Sequence, residues 1–114
     1  MLKADQVRMQ HMLDSAREAL LFVQNKSRSS LDSDRKLTLA LVKSIEIIGE
    51  AASNVSIECH GDYSNVPWKS IISMRNRLIH AYFDIDLDIL WSTVTEDLPP
   101  LIEELEKIVE TSEF

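Results

Sequence analysis

Asp34–Cys59, DRKLTLALVKSIEIIGEAASNVSIEC, is the stretch that decides the fold. Its apolar and small residues recur at alternating steps of four and three, at Leu37, Leu41, Ser44, Ile48, Ala51 and Val55. This spacing predicts an amphipathic helix from about Asp34 to about Cys59. The repeat is close to that of a coiled coil, so near-parallel helix packing is expected. Gly49 and the alanines after it leave a low surface that another helix can approach, within a bundle or across a dimer.

The residues that precede this stretch predict another helix, which is the first in the chain, and a loop after it. Apolar residues at helical spacing predict a first helix from about Asp5 to about Lys26, with a stripe at Met9, Leu13, Ala16, Leu20 and Val23. The polar, serine-rich segment Asn25–Ser33 predicts the connecting loop. His11 lies off the apolar stripe and is expected to be a structural or surface histidine rather than a ligand.

Helix signals continue to the C-terminus. Pro67 suits the first turn of a third helix, where its missing N–H is harmless. Asp84 or Asp86 can cap a fourth helix. Pro99 and Pro100 cannot lie inside an unbroken helix, so the last helix is expected to kink or restart near Thr95–Asp97.

The composition predicts one all-α domain over residues 1–114, folded as an antiparallel up-and-down bundle of four to five helices. Two glycines and three prolines allow few of the tight turns that a β-sandwich needs. Cys59 is the only cysteine, which excludes an intrachain disulfide and a thiolate metal cluster. Without an apolar run of about 18 residues or a signal-peptide pattern, a soluble cytoplasmic protein with no membrane contact is expected.

The sequence predicts neither a metal site nor a cofactor. It has no phosphate-binding glycine loop and no His, Cys and carboxylate spacing typical of metal ligands. The run Asp84-x-Asp86-x-Asp88 resembles part of a calcium loop. It lacks the glycine and the terminal glutamate that such a loop needs, so a calcium site is rejected.

Polar chemistry is concentrated in the octapeptide Arg75-Asn76-Arg77-Leu78-Ile79-His80-Ala81-Tyr82. Arginine binds phosphate oxygens, histidine transfers protons near neutral pH, and tyrosine supplies a hydroxyl. A phosphodiester is the natural substrate for such a set. Asn76, four residues before His80, can hydrogen-bond the imidazole and fix its tautomer if both lie on one helix.

Helix geometry leaves two arrangements open for Arg75 and His80. On an ideal helix the two residues point about 140° apart and cannot face one substrate, whereas Arg75 and Tyr82 would share a face. In one arrangement the helix ends or distorts near Ile79, so that His80 and Tyr82 turn back toward Arg75. In the other, two subunits meet across a two-fold axis and one subunit's His80 completes the other's Arg75.

Glu46 and Glu50 lie four apart and share a face of the Asp34–Cys59 helix. If that face looks into the cleft of the octapeptide, one of them can orient His80 or Arg75. Otherwise both are solvated charges.

The net charge of −7 argues against nucleic-acid binding, because proteins that neutralise phosphates are usually basic on at least one face. Lys69, Arg75 and Arg77, however, fall within nine residues that contain no acid. The sequence therefore predicts a local basic cleft on an acidic body and weak non-specific affinity for RNA.

Several segments in order resemble the HEPN family of small helical ribonucleases and, more narrowly, HepT-like toxins. They are Met9–Leu13, Ile45–Ala52, Val66–Trp68, Met74–His80, Tyr82–Asp84 and Asp97–Ile102. The octapeptide has the Arg-x4-His-x-Tyr spacing of the family signature. Two positions depart from the family pattern: Lys43 stands where an arginine is common, and Ala81 where a glycine often separates the histidine from the tyrosine.

The resemblance implies a metal-independent endoribonuclease that acts as a homodimer with both motifs lining one cleft. It implies Arg75, Asn76, His80 and Tyr82 as catalytic residues. Candidate supporting residues are Arg77 of the octapeptide and, from their helical spacing, Glu46 and Glu50. RNA is the expected substrate and DNA is not. The resemblance also implies a partner, a nucleotidyltransferase antitoxin that attaches AMP to Tyr82. The alternative is a catalytically inactive helical module that binds protein or nucleotide and pairs with a nucleotidyltransferase.

Overall fold

The protein is described by a computed structural model over residues 1–81 and 84–111. Its elements in chain order are α1 (Lys3–Phe22), α2 (Ser30–Ser33), α3 (Arg35–Asn54), α4 (Ile57–Asp62), α5 (Trp68–Ile72), α6 (Met74–Leu78), β1 (Ile79–Ala81), β2 (Asp84–Ile85), α7 (Leu87–Ser92) and α8 (Leu98–Thr111). A π-helical turn, Thr93–Asp97, joins α7 to α8. The predicted all-α class is confirmed, and the two-stranded antiparallel ribbon β1–β2 is the part that was not predicted.

The long helices α1, α3 and α8 enclose the core. The Asp5 carboxylate near the start of α1 accepts hydrogen bonds from the N–H and the hydroxyl of Ser56, just beyond α3, so α1 and α3 run antiparallel. Arg17 of α1 pairs with Glu106 of α8 at 2.8 Å. The stripe of α3 that was predicted from sequence is buried, and its largest fully buried members are Leu41 and Ile48. No helix in the described part of the chain is both long and apolar enough to cross a membrane.

The helix predicted over Asp34–Cys59 is divided in two. It begins as expected, with the Asp34 side chain accepting the Leu37 N–H at 3.1 Å, but α3 ends at Asn54. Ser56 turns its N–H to Asp5, and its hydroxyl accepts the Cys59 N–H, so the chain starts the new helix α4 there. The competing side-chain bonds therefore shorten the helix at its C-terminal end.

The first helix also ends earlier than predicted, at Phe22 rather than near Lys26. The chain then turns through Asn25, whose φ of 62° is left-handed, a conformation that asparagine tolerates better than most residues. The expected loop Asn25–Ser33 contains the single helical turn α2.

The third predicted helix is broken twice. Ser73 separates α5 from α6 and donates its hydroxyl to the Lys69 carbonyl at 2.9 Å. The helix then ends at Leu78, whose free carbonyl accepts the backbone N–H of Asp86 at 2.7 Å. In the β1–β2 ribbon Ile79 pairs with Ile85. The bond from Asp86 to Leu78 therefore joins the end of the ribbon to the end of α6.

The break expected near Thr95–Asp97 lies in the π-helical turn. The Thr95 hydroxyl donates to the Trp91 carbonyl at 2.8 Å. Pro99 and Pro100 are the second and third residues of α8 and directly follow the π-helical turn, in which the Leu98 N–H bonds to the Thr93 carbonyl. The N–H groups that the two prolines lack therefore fall where the helical hydrogen-bond pattern changes.

Candidate functional site

The octapeptide is shared between a helix and a strand. Arg75, Asn76 and Arg77 are exposed on the short helix α6, and His80 is exposed on β1. The first arrangement that the sequence left open requires the helix to end near Ile79, and α6 does end at Leu78. Because α6 ends at Leu78 and residues 79–81 are extended, the continuous helix on which Arg75 and Tyr82 would share a face is absent from the described residues, and Tyr82 itself lies outside them.

Arg75 is held by a carboxylate of α3. Its Nε donates a hydrogen bond to Glu46 Oε1 at 2.9 Å, and the Arg75 side chain remains 50% exposed. Lys43 lies 3.9 Å from the other oxygen of Glu46. An ion pair this exposed adds at most about 1 kcal/mol to stability, so its main effect is to fix the guanidinium. Of the two interpretations of Glu46, orientation of Arg75 is the one observed.

Arg75 and Asn76 line a groove of about 400 Å³ between α3 and the α5–α6 segment. Gly49 faces α5 at this point, and a Cβ added there would lie 3.4 Å from the Ile71 carbonyl oxygen, close to the limit of ordinary van der Waals contact. The low surface predicted at this glycine is thus used within the chain. We call this cavity the arginine groove, and its lining residues are Ile45, Glu46, Gly49, Glu50, Ser53, Ile72, Arg75 and Asn76.

His80 is held by a different carboxylate. Its Nε2 lies 3.5 Å from Asp86 Oδ2, and the His80 side chain is 52% exposed. Asp86 also caps α7, as the sequence predicted, by accepting the Ile89 N–H at 3.0 Å. That hydrogen bond and, after it, the contact with His80 lower the pKa of Asp86 below its ordinary value, which keeps its carboxylate ionised. The expected hydrogen bond between Asn76 and His80 is not formed in the described residues.

One chain does not bring the whole octapeptide together. His80 is not among the residues that line the arginine groove, and no hydrogen bond or ion pair joins it to Arg75 in the described part of the chain. Tyr82 lies outside the described residues. The helix end at Leu78 is therefore not enough to unite the motif within one subunit.

The predicted basic cleft is not found among residues 1–81 and 84–111 of the single chain. Arg75 and Arg77 are two apart on α6 and so point about 160° away from each other. Arg77 donates to the Ser70 carbonyl at 3.2 Å and lines a separate groove of about 490 Å³. The charged residues around that groove are mostly acidic, namely Glu96, Asp97, Glu103 and Glu104.

Glu50, His11 and Cys59 lie in three different settings. Glu50 is exposed, lines the arginine groove, and has no ion pair in residues 1–81 and 84–111. His11 is exposed on α1, as expected for a surface histidine. Cys59 is buried, and burial raises the pKa of its thiol to about 11, so it is a neutral packing residue.

The chain is similar in sequence to a ribonuclease family and to several of its members. The family described as "Ribonuclease HepT-like" matches residues 12–108. "Putative RNase TTE0752" of Caldanaerobacter subterraneus is 35% identical over 109 residues, which are 96% of this chain and 97% of that protein. "Probable ribonuclease HepT" of Thermococcus cleftensis is 41% identical over 75 residues, which are 66% of this chain and 68% of that protein.

A longer relative is also similar. "Gamma-glutamylcyclotransferase and putative RNase MJ0434" of Methanocaldococcus jannaschii is 36% identical over 110 residues, which are 96% of this chain but only 50% of that protein. This chain therefore spans half the length of that relative. No solved structure matches the chain.

Proposed function

Because the chain belongs to the HepT-like ribonuclease family, we propose that it is a metal-independent endoribonuclease whose site contains Arg75 and His80. The observation that carries the proposal is the setting of Arg75. Its guanidinium is fixed by Glu46 through Nε and lies in an open groove of about 400 Å³, within the size range of ligand sites. A fixed, half-exposed guanidinium suits a phosphoryl group, whose developing charge it can stabilise without reorganising.

The proposed reaction uses the ribose 2′-hydroxyl as the nucleophile. The 2′-oxygen attacks the adjacent phosphorus, the bond from phosphorus to the 5′-oxygen breaks, and a 2′,3′-cyclic phosphate forms. His80 either removes the 2′-hydroxyl proton as general base or protonates the leaving 5′-oxygen as general acid. Arg75 stabilises the negative charge that builds on the phosphoryl oxygens.

Other residues of the motif have supporting roles in this proposal. The Asn76 amide lines the arginine groove beside Arg75, where it is a candidate contact for the RNA. Tyr82 positions the scissile group. Glu46 holds Arg75, and Glu50 and Arg77 are candidate contacts for the rest of the RNA.

The proposed active form is a homodimer. In one chain Arg75 lies in the arginine groove and His80 lies beside Asp86, so a second copy is needed to bring an imidazole to the guanidinium. A two-fold axis would create two equivalent composite sites from one contact surface.

Purified protein is expected to cleave RNA and to leave DNA of the same sequence intact. The physical reason is that DNA lacks the 2′-hydroxyl nucleophile. The measurement uses one end-labelled oligonucleotide in three forms: all ribose, all deoxyribose, and ribose with a single 2′-deoxy substitution at the mapped cleavage site. EDTA should leave the rate unchanged within about twofold. Cleavage of the deoxyribose strand, or dependence on added magnesium, would contradict the mechanism.

Control by a partner is the second part of the proposal. A nucleotidyltransferase antitoxin would join the Tyr82 oxygen to the α-phosphorus of ATP, with pyrophosphate as the leaving group. The AMP would add bulk and negative charge where the substrate phosphate must lie.

Incubation with that nucleotidyltransferase and ATP is expected to add AMP to the native chain and to abolish RNA cleavage. The Tyr82→Phe variant should gain no AMP when intact mass is measured. Tyr63, the other tyrosine of the chain, provides the matched control, since Tyr63→Phe should be modified like the native protein. Equal AMP incorporation in Tyr82→Phe would refute the assignment.

A second candidate function is a catalytically inactive module that binds protein or nucleotide beside a nucleotidyltransferase. It is favoured by the two carboxylates, Glu46 and Glu50, that line the arginine groove, and by the net charge of −7. This module predicts no RNA cleavage by the native chain, with or without substitution of Arg75.

A further inference from the structure

The β1–β2 ribbon places one carboxylate against the imidazole of His80. Asp86 directly follows β2. The pairing of Ile79 with Ile85 puts Asp86 opposite Leu78 and diagonally across the ribbon from His80. Asp86 Oδ2 lies 3.5 Å from His80 Nε2. This contact comes in addition to the helix cap that the sequence predicts for Asp86.

Asp86 is itself held in place at two atoms. Its backbone N–H donates to the Leu78 carbonyl at 2.7 Å, at the end of the helix that carries Arg75. Its Oδ1 accepts the Ile89 N–H at 3.0 Å, at the start of α7. The oxygen that faces His80 is therefore presented by a fixed side chain rather than by a freely rotating one.

We propose that Asp86 is a positioning residue that holds His80 in the tautomer with its proton on Nε2, so that Nδ1 exchanges the proton with the RNA. The proposal rests on the proposed ribonuclease function and adds to it the nitrogen that acts. An ionised carboxylate only accepts hydrogen bonds, so at 3.5 Å it favours the tautomer in which the ring nitrogen facing it carries the proton. In a neutral imidazole the other nitrogen, Nδ1, is then the unprotonated one.

The sharpest test is Asp86→Asn, because asparagine caps helices about as well as aspartate. The amide oxygen can keep the bond from Ile89, which turns the amide NH₂ toward His80. That NH₂ is a donor, so Nε2 must accept, and the proton moves to Nδ1. The substitution therefore reverses the tautomer and leaves the cap in place, a change that a purely structural role for Asp86 would not produce.

The tautomer is read by NMR of the ring nitrogens at alkaline pH, where histidine is neutral. His80 is expected to carry its proton on Nε2 in the native protein and on Nδ1 in Asp86→Asn, with its signals assigned by their loss in His80→Gln. His60 is an internal reference, because its Nε2 lies 2.9 Å from the Ala52 carbonyl oxygen and should stay protonated in every variant. Asp34→Asn, a matched change at the cap of α3, should leave His80 unchanged.

RNA cleavage provides the second readout. In Asp86→Asn, kcat is expected to fall about 100-fold or more while KM changes by less than about threefold, because the ring remains but offers the wrong nitrogen. An unchanged His80 tautomer would overturn the proposal, and so would a reversed tautomer with native kcat.

Two further outcomes are also decisive. If Asp86→Asn does not fold, Asp86→Ser keeps a cap but cannot reach His80, and a mixture of tautomers is expected in place of the native one. A native tautomer in Asp86→Ser would overturn the proposal. If the native protein cleaves no RNA, the ribonuclease function fails, while the NMR result still decides whether Asp86 holds the ring.

Discussion

Replacing Arg75 or His80 by alanine is expected to reduce RNA cleavage by about 100-fold to 10,000-fold while the protein stays folded. Loss of one group that stabilises transition-state charge costs about 100-fold to 1,000-fold, and loss of a general acid or base costs about 100-fold to 10,000-fold. Both side chains are about half exposed, so neither substitution opens a cavity in the core. The melting temperature should therefore change little.

Matched controls of the same residue types come from α3 and α1. Arg35 is exposed at the start of α3 and has no ion pair in the described residues, so Arg35→Ala removes an arginine without touching the arginine groove. His11→Ala removes an exposed histidine from α1. Both variants should cleave RNA within about twofold of the native rate. Native activity in His80→Ala would contradict the mechanism, and equal losses in all four variants would point to a general loss of structure.

The long helices follow from the sequence because their apolar spacing repeats over many turns. The stripe that begins at Leu37 and continues through Ile48 is buried as its period requires. Helix ends are less predictable, because they depend on contacts distant in sequence. α3 ends at Asn54 because Ser56 bonds to Asp5, which precedes it by 51 residues. No local pattern specifies that bond.

The candidate site shows the same division between local and distant information. Arg75 and His80 were singled out by side-chain chemistry alone, since arginine binds phosphate and histidine transfers protons. Helical spacing placed Glu46 on a face of its helix from which it could contact Arg75 or His80. The contact of His80 with Asp86 was missed because the prediction from sequence allowed the helix to end near Ile79 but included no strand pairing after that point. Ile79 and the residues after it include β-branched and aromatic side chains, a composition that favours strands. A ribbon there would have placed Asp86 beside His80.

Charge counted along the sequence was misleading for a related reason. Arg75 and Arg77 are close in sequence, but the helix sends them into different grooves. Lys69 lines neither groove. Binding of RNA to this acidic chain therefore has to rely on a few placed cations, or on a second subunit that supplies more of them.

Two inactive variants are expected to restore activity when they share a dimer. In the proposed homodimer, a subunit with Arg75→Ala still supplies His80, and a subunit with His80→Ala still supplies Arg75. Their heterodimer thus has one complete site and one empty site. Random pairing makes about half of the dimers mixed, so a mixture in equal amounts should show about a quarter of native activity. Each variant alone should show about 1% or less.

Co-expression with two different affinity tags and purification on both isolates the heterodimer, which should have about half of the native rate. The inverse pairing is the decisive control. A native subunit combined with one that carries both Arg75→Ala and His80→Ala has no complete composite site, so this heterodimer should be inactive. If the site instead lies within one subunit, the opposite results are expected. The heterodimer of Arg75→Ala with His80→Ala is then inactive, and the heterodimer of the native subunit with the double variant keeps about half of the native activity. Failure to recover any doubly tagged dimer would contradict the composite site directly, because Arg75 and His80 would then have no second chain to bring them together.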